Sequence, residues 1–220
     1  MDSIAYPIGK SLYLNITNRC SNHCSFCIRY KSKLFNQKHP LWLEHEPTAE
    51  EIIKAIGDPS KYDEIVFCGY GEPLIRLDVV REVAQWLKNP HPLTQNNPPS
   101  PRGRGLLGKA VTIRINTNGQ ANIFWGRNIF PELKDLVDKM VVSLDAQNAE
   151  VYQSICRSDY GEKAYPAVIE FIKEAKKYIP EVIASVVELP EVDIDACRKI
   201  AQELGVEFRV RPYYEDEYKR

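Results

Sequence analysis

The chain has 220 residues and is almost neutral, with 29 lysines and arginines against 30 aspartates and glutamates. Near-neutral charge excludes broad electrostatic capture of nucleic acid or of an anionic membrane. No apolar run approaches the ~20 residues of a spanning helix, and the N-terminus lacks the apolar segment of a secretory signal. We therefore expect a cytoplasmic domain without a membrane contact.

Short β-rich runs alternate with helical patterns along the chain, as in βα units around a parallel sheet. Six strands are predicted, at 11–17, 64–68, 111–117, 139–144, 182–188 and 207–211. Five helices are predicted, at 48–56, 77–88, 130–137, 165–178 and 193–204. The fold class is thus α/β, and six units favour a barrel, with a doubly wound flavodoxin-like sheet as the alternative.

Local capping signals mark the ends of two helices. Thr48 followed by Glu51 has the capping-box spacing at the start of the first helix. Asp193 is predicted to cap the last helix, and Gly205 stands where a C-terminal glycine belongs.

Two stretches interrupt the alternation of strands and helices. Residues 18–47 follow the first strand and hold three of the six cysteines, and such long loops are usually functional. Residues 89–110 hold five prolines and three glycines. We predict one domain over 1–220 with 89–110 as an insertion on the face opposite the active site, because it joins a helix end to a strand start.

Three closely spaced cysteines are the most informative feature of the sequence. Cys20, Cys24 and Cys27 have the spacing C-x3-C-x2-C, which suits a soft metal centre. A structural zinc site needs four ligands, for which His23 is a conceivable fourth. A 4Fe–4S cluster with three cysteines leaves one iron open, as in a catalytic cluster. A third possibility is three ordinary loop thiols.

The cysteine loop, with Phe26 just before the last cysteine, resembles the signature of radical S-adenosylmethionine (SAM) enzymes. The resemblance implies a partial (β/α)6 barrel and one 4Fe–4S cluster, with Cys20, Cys24 and Cys27 on three irons and SAM chelating the fourth. It also implies an external one-electron reductant and cleavage of SAM to a 5′-deoxyadenosyl radical that abstracts a hydrogen from the substrate.

A second motif, Gly69-Tyr70-Gly71-Glu72-Pro73, follows the second predicted strand and is similar to the family's glycine–glutamate motif. The resemblance implies that Glu72 binds the SAM amino group and that Gly69 and Gly71 let the backbone approach the methionine moiety. The glycines have no Cβ, and a carboxylate pairs with an ammonium. Phe26 is counted with these cofactor contacts.

Two further strand ends carry polar residues that resemble the family pattern. Asn116 and Asn118 end the third strand, and Ser143 and Asp145 end the fourth. The resemblance implies contacts with SAM, at the carboxyl ends of strands where barrel active sites form. Ordinary turn chemistry is the alternative for both.

On the last strand Arg209 and Arg211 are two residues apart and share a face. If that face is the barrel interior, both are candidates to bind an anionic group of the substrate; otherwise they are solvated edge charges. Cys68 and Cys197 fall on apolar stretches and are predicted to lie in the core, whereas Cys156 has no clear place.

The motifs together most resemble small radical SAM proteins described as TatD-associated, which implies association with a TatD-type nuclease. A 7-carboxy-7-deazaguanine synthase and a glycyl-radical activating enzyme are the enzyme alternatives. The non-enzyme alternative is an iron–sulfur electron-transfer or zinc interaction module. Glu72 and the strand-end motifs argue against it, because a carrier needs no SAM pocket.

Overall fold

The computed structural model of the protein describes residues 3–32, 34–89 and 111–213. The predicted insertion at 89–110 lies, apart from Asn89, outside the described residues, and its placement stays a prediction. So does the single-domain organisation of 1–220. Within the described ranges every helix is too short or too polar to span a bilayer.

Seven strands form one sheet whose spatial order follows the order of the chain. They are β1 (Ala5–Ile8), β2 (Ser11–Leu14), β3 (Glu64–Phe67), β4 (Thr112–Thr117), β5 (Lys139–Ser143), β6 (Glu181–Val187) and β7 (Glu207–Arg211). β1 and β2 are antiparallel, and the other neighbouring pairs are parallel. This sequential order confirms the predicted barrel-type sheet. The flavodoxin-like alternative is wrong, because its strand order reverses around the first strand.

Seven α-helices accompany the strands in the described part of the chain. They are α1 (Ala49–Ile56), α2 (Leu77–Lys88), α3 (Ala121–Trp125), α4 (Phe130–Leu133), α5 (Ala149–Cys156), α6 (Ala164–Tyr178) and α7 (Ile194–Leu204). The predicted capping box is present, with Thr48 and Glu51 bonded in both directions. Asp193 caps α7 through the Ala196 amide, and Gly205 ends it with φ of +66°.

The prediction from sequence missed three elements and placed the end of a fourth too late in the chain. β1 contains Pro7, which argues against a strand, but β1 is an edge strand, where proline is tolerated. The helix α3 has only five residues, too few for a clear period. The helix α5 has eight residues, as α1 does, but its cap Asn148 is followed by Val151 and not by the glutamate that completes the capping box of α1. The predicted helix 130–137 ends at Leu133, because Lys134 is extended and Asp135 has φ of +63°.

The two faces of the sheet differ in polarity, which locates the helices and the concave side. One row of direct cross-strand neighbours packs with the helices in the core: Leu14, Phe67, Ile115, Met140 and Val182. The preceding residue of each strand lies on the opposite face, since side chains alternate: Tyr13, Val66, Arg114, Lys139 and Glu181. Four of these five side chains carry a polar group, so the concave face is the more polar of the two.

Candidate functional site

The three clustered cysteines lie on the loop that follows β2. Cys20, Cys24 and Cys27 are free and half-buried, and a 3₁₀ turn begins immediately after Cys27, at Ile28–Tyr30. Among the described residues, no three His, Cys, Asp or Glu side chains surround a point where one metal ion would bind. The donor set, three thiols on one loop, fits a cluster in which each thiolate takes its own iron.

His23 is not placed as a fourth ligand by the structure. Its Nε2 lies 3.1 Å from Asp159 Oδ1 and its Nδ1 lies 3.3 Å from the Tyr30 hydroxyl, on the exposed side of the loop. Phe26 instead packs, partly buried, against the main apolar core. Its side chain thus helps to anchor the loop, and its contact with a cofactor stays a prediction.

Backbone hydrogen bonds fasten the cysteine loop to the end of α5. The His23 amide donates to the Cys156 carbonyl at 2.9 Å, and the Ser25 amide donates to the Ile155 carbonyl at 2.8 Å. These bonds flank Cys24 on both sides. The guanidinium of Arg29 braces the same loop through the carbonyls of residues 18 and 22. The loop is held from two directions.

A buried network of hydrogen bonds, centred on Gln120, holds the cysteine loop against the rest of the chain. Gln120 Oε1 accepts hydrogen bonds from the hydroxyls of Ser21 (2.8 Å) and Ser158 (3.0 Å). Gln120 Nε2 donates to Asn22 Oδ1 and to the Tyr152 hydroxyl, both at 2.8 Å. Sequence reasoning missed these residues. Only Gln120 could have been found from the sequence, because it directly follows the polar residues that end the third predicted strand.

Asn118 joins this network to a cysteine and to the glycine–glutamate motif. Its Nδ2 lies 3.0 Å from Ser21 Oγ and 3.8 Å from Cys20 Sγ, and its backbone amide donates to Glu72 at 2.6 Å. The Asn116 amide oxygen is buried and has no hydrogen-bond partner among the described residues. The structure thus brings Asn118 to the cysteine loop and leaves an unused acceptor at Asn116.

Glu72 is buried and bonded to the chain itself. Its carboxylate accepts hydrogen bonds from Leu74 N (3.0 Å), Thr117 Oγ1 (2.8 Å) and Asn118 N (2.6 Å), which ties the end of β3 to the end of β4. Burial raises the pKa of Glu72 to about 7, against the effect of these donors. A contact with the SAM amino group would have to add to these bonds, and it stays a prediction.

The two glycines of this motif are required by close approach within the protein. A Cβ on Gly69 would lie 2.0 Å from Asn15 Oδ1, and a Cβ on Gly71 would lie 2.4 Å from the Thr17 carbonyl oxygen. The Thr17 carbonyl is part of the backbone and cannot move away from a Cβ on Gly71 as a flexible side chain could. Gly71 therefore lets β3 and the cysteine loop pack together, which is a reason independent of any cofactor.

A second polar group forms where β5 and β7 end. Arg211 Nη2 donates to Ser143 Oγ at 3.2 Å and to Asp145 Oδ1 at 3.0 Å. Burial raises the pKa of Asp145, and the neighbouring Arg211 charge opposes that rise. Cross-strand pairing aligns Arg209 with Ser185 and Ser185 with Ser143, so both arginines belong to the concave face.

The two arginines differ as candidates for an anionic substrate group. Arg211 is paired with the buried Asp145, so its charge is already compensated within the protein. Arg209 is exposed and forms no ion pair with a described residue. Binding of substrate by either side chain stays a prediction, and the geometry favours Arg209 for it.

The remaining cysteines occupy three different surroundings. Cys197 is fully buried in the apolar core, as predicted. Cys68 is only half-buried and borders the concave face beside Asn116, because the core residue of that strand end is Phe67; the prediction of a core position for Cys68 is wrong. Cys156 is fully buried at the end of α5, where its carbonyl accepts a hydrogen bond from the His23 amide of the cysteine loop.

Burial makes deprotonation harder for two of the three clustered thiols. It raises the pKa of Cys20 to about 12, with the nearby Glu72 charge as a second cause, and it raises the pKa of Cys27. Iron is bound by the thiolate form. Loading the site therefore displaces protons from these side chains.

An open cavity of about 470 Å³ lies beside the cysteine loop. Its lining joins two cationic side chains to three aromatic ones and a serine: Arg29, Lys31, Tyr30, Trp42, Tyr70 and Ser32. Tyr30 and Trp42 are 56% and 55% exposed. This cavity shares no lining residue with the predicted cofactor contacts.

Comparison with known proteins identifies one family and two structural neighbours. The model of the radical SAM superfamily matches residues 14–204. The structure is similar to a radical SAM methyltransferase from Sphaerobacter thermophilus, with a TM-score of 0.52, 15% identity, and coverage of 94% of this chain and 68% of that one. It is also similar to HydG, a maturase of the [FeFe]-hydrogenase.

The likeness to HydG has a TM-score of 0.55 and 15% identity, and it covers 92% of this chain and 42% of HydG. The chain therefore spans less than half the length of that neighbour. At this identity both likenesses concern the fold, and both agree with the barrel-type sheet. A comparison with curated proteins finds no match.

Proposed function

Because the chain belongs to the radical SAM superfamily and is an enzyme of unassigned substrate, we propose that it cleaves SAM reductively at one 4Fe–4S cluster held by Cys20, Cys24 and Cys27. The observation that carries the proposal is the position of three free cysteines on one braced loop after β2. Family membership implies both the cluster and SAM as cofactors.

When bound, the cluster and SAM supply one-electron cleavage of the C5′–S bond and a carbon radical that takes a hydrogen from the substrate. The protein's part is to hold and orient. The thiols of the loop bind iron, and Asn118 Nδ2 lies 3.8 Å from the Cys20 sulfur, close enough for a weak hydrogen bond. The network around Gln120 keeps the loop in place without a metal.

The remaining predicted contacts are proposed to receive SAM at the carboxyl ends of the strands. The unpaired Asn116 oxygen supports this, because a buried acceptor without a protein partner favours a ligand that donates a hydrogen bond. Gly69 and Gly71 line the approach, and Ser143 and Asp145 are proposed to lie near the ribose or carboxylate. Glu72 Oε2 accepts one hydrogen bond from the chain, from the Asn118 amide, and can accept a second from the ammonium group of SAM.

Three partner proposals rest on the resemblance in sequence. An external one-electron reductant is required by the chemistry. Association with a TatD-type nuclease is a proposal from the subgroup that the motifs most resemble. Within the described residues no contact favours a deazaguanine synthase or an activating enzyme over another radical SAM activity, so the substrate class is left unassigned.

The test is anaerobic reconstitution with iron and sulfide, then incubation with SAM and a strong reductant. We expect 5′-deoxyadenosine from the wild-type protein and none from Cys24→Ala, with Cys197→Ala as the matched control because Cys197 is a core cysteine. If the wild type takes up iron but releases no 5′-deoxyadenosine, the proposal is wrong.

The proposed role of Glu72 has a separate test. Glu72→Ala is expected to weaken SAM binding about tenfold to a hundredfold through a lost charge-assisted hydrogen bond, while iron content stays unchanged. Loss of iron together with SAM binding would make the role of Glu72 structural, as its three bonds to the chain suggest.

A further inference from the structure

The open cavity beside the cysteine loop has no role in the proposed function. Its volume of about 470 Å³ lies within the range of about 300–1,000 Å³ that is usual for small-molecule sites. Its lining comes from the segment 29–32, which follows the last cysteine of the loop, from Trp42, and from Tyr70 in the turn after β3. The cavity therefore has the size of a ligand site and lies next to the loop that is proposed to hold the cluster.

The aromatic side chains of the cavity present flat apolar surface to solvent. Tyr30 and Trp42 are each more than half exposed, although large aromatic side chains are on average well buried. Trp42 packs edge to face against Tyr70, with ring centroids 5.9 Å apart, and the Tyr70 hydroxyl donates to the Ser32 carbonyl at 3.0 Å. The aromatic wall is thus held in place by the protein itself, and its exposed rings suit a planar ring that stacks on them.

The charges beside these rings are positive. Residues 20–43 contain four lysines and arginines and no aspartate or glutamate, in a chain that is near neutral overall. The Arg29 guanidinium bonds to two backbone carbonyls of the cysteine loop and to the Tyr30 hydroxyl, all of them uncharged groups. The Lys31 side chain is exposed and forms no ion pair with a described residue. An anionic group that binds here would gain charge-assisted hydrogen bonds without displacing a carboxylate.

We propose that this cavity binds a free nucleotide, with the base stacked against Trp42 and Tyr30 and the phosphate bound by Lys31 and Arg29. A nucleotide joins a planar ring to a phosphate, which are the two groups that the lining of the cavity suits. Stacking on an aromatic side chain tolerates any base, because every base has a π-face. The inference goes beyond the proposed function and does not depend on the presence of a cluster.

Two other occupants agree less well with the cavity. SAM carries a sulfonium and an ammonium group against one carboxylate, so Lys31 and Arg29 repel its net positive charge. A single-stranded nucleic acid needs a positively charged groove that follows its backbone over several nucleotides, whereas the cationic lining here is confined to these two side chains. A free nucleotide agrees with both the size and the charge.

The experiment is a calorimetric titration of the reconstituted full-length protein with uridine monophosphate (UMP), uridine and ribose phosphate, with and without saturating SAM. Uridine lacks the phosphate and ribose phosphate lacks the base, so the two parts of the cavity are probed separately. The variants are Trp42→Ala, Trp42→Phe and Lys31→Ala; Arg29 is left unchanged because it braces the loop. Phe124→Ala and Lys199→Ala are the matched controls, because they remove an exposed ring from α3 and an exposed lysine from α7.

Trp42→Ala is expected to weaken the binding of UMP and of uridine about fivefold to a hundredfold and to leave ribose phosphate unaffected, because only stacking is lost. Trp42→Phe should recover most of the affinity. Lys31→Ala should weaken UMP and ribose phosphate about threefold to tenfold and leave uridine unaffected, because only the charge is lost. Both controls should bind UMP as the wild type does, and SAM should not displace it.

Absence of UMP binding at millimolar concentration, or equal affinity in wild type, Trp42→Ala and Lys31→Ala, overturns the inference. Release of UMP by SAM also overturns it, because the nucleotide would then lie at the cofactor contacts. An oligonucleotide of about ten uridines that binds far more tightly than UMP would indicate a nucleic-acid surface instead. Should Trp42→Ala fail to fold, Lys31→Glu decides, because it changes only an exposed side chain; unchanged UMP binding in that variant overturns the inference. A wild type that binds UMP but no cluster supports the inference while the proposed function fails.

Discussion

Replacing Glu72 by glutamine is expected to remove a pH dependence from the stability of this protein. The Glu72 side chain is 4% exposed, and burial raises its pKa from the ordinary 4.5 to about 7. Between these values the folded protein keeps a proton that the unfolded chain has released. The free energy of unfolding therefore falls as pH rises through this interval.

The size of the effect follows from the two pKa values. A tenfold change in proton affinity is worth about 1.4 kcal/mol, so the interval corresponds to about 3 kcal/mol lost between pH 4.5 and pH 7. For a chain of this length that is about 6–12 °C in melting temperature. Glutamine has the same shape and does not titrate. Its NH2 group would face the Asn118 N–H, and this lost hydrogen bond would lower the stability by about 1–3 kcal/mol at every pH.

The assay is urea unfolding of wild type and Glu72→Gln at about pH 4 and about pH 8, on either side of the interval. We expect the stability difference between the two pH values to be smaller in the variant by about 3 kcal/mol. Glu203→Gln is the control, since that side chain is exposed on α7, and it should keep the wild-type difference. Equal pH dependence in wild type and Glu72→Gln would refute the reasoning.

Three further outcomes are expected. Cys24→Ala should lose the iron of the reconstituted protein by chemical analysis, whereas Cys197→Ala should retain it; iron near eight per chain, or zinc in its place, would contradict a single cluster. Gly71→Ala should cost roughly 3 kcal/mol or abolish soluble expression, because the new Cβ would meet two backbone carbonyl oxygens at 2.4 and 2.5 Å; wild-type thermal stability would contradict this. Arg211→Ala should destabilise the fold by about 2–3 kcal/mol, because it leaves Asp145 buried without its cation; an unchanged urea midpoint would show that solvent replaces the arginine.

Local patterns in the sequence predicted much of the fold. Short β-rich runs between helical patterns predicted the six parallel strands, since a strand's composition is evident within a few residues. Thr48, Asp193 and Gly205 predicted helix ends, because capping bonds join residues two to four positions apart. Elements that were short or irregular, β1, α3 and α5, were missed because they depend on neighbours distant in the chain.

The sequence by itself determined the chemistry available to this protein: three thiols at cluster spacing, a glycine–glutamate turn and polar strand ends. Only the tertiary structure decided which of these groups meet. Asn22 reaches Tyr152 across 130 positions, and Arg211 reaches Asp145 across 66, which converted a candidate anion site into an ion pair. Spacing constrains only residues that are close along the chain. Contacts between distant residues exist only after the sheet has formed, when burial decides which polar groups must pair.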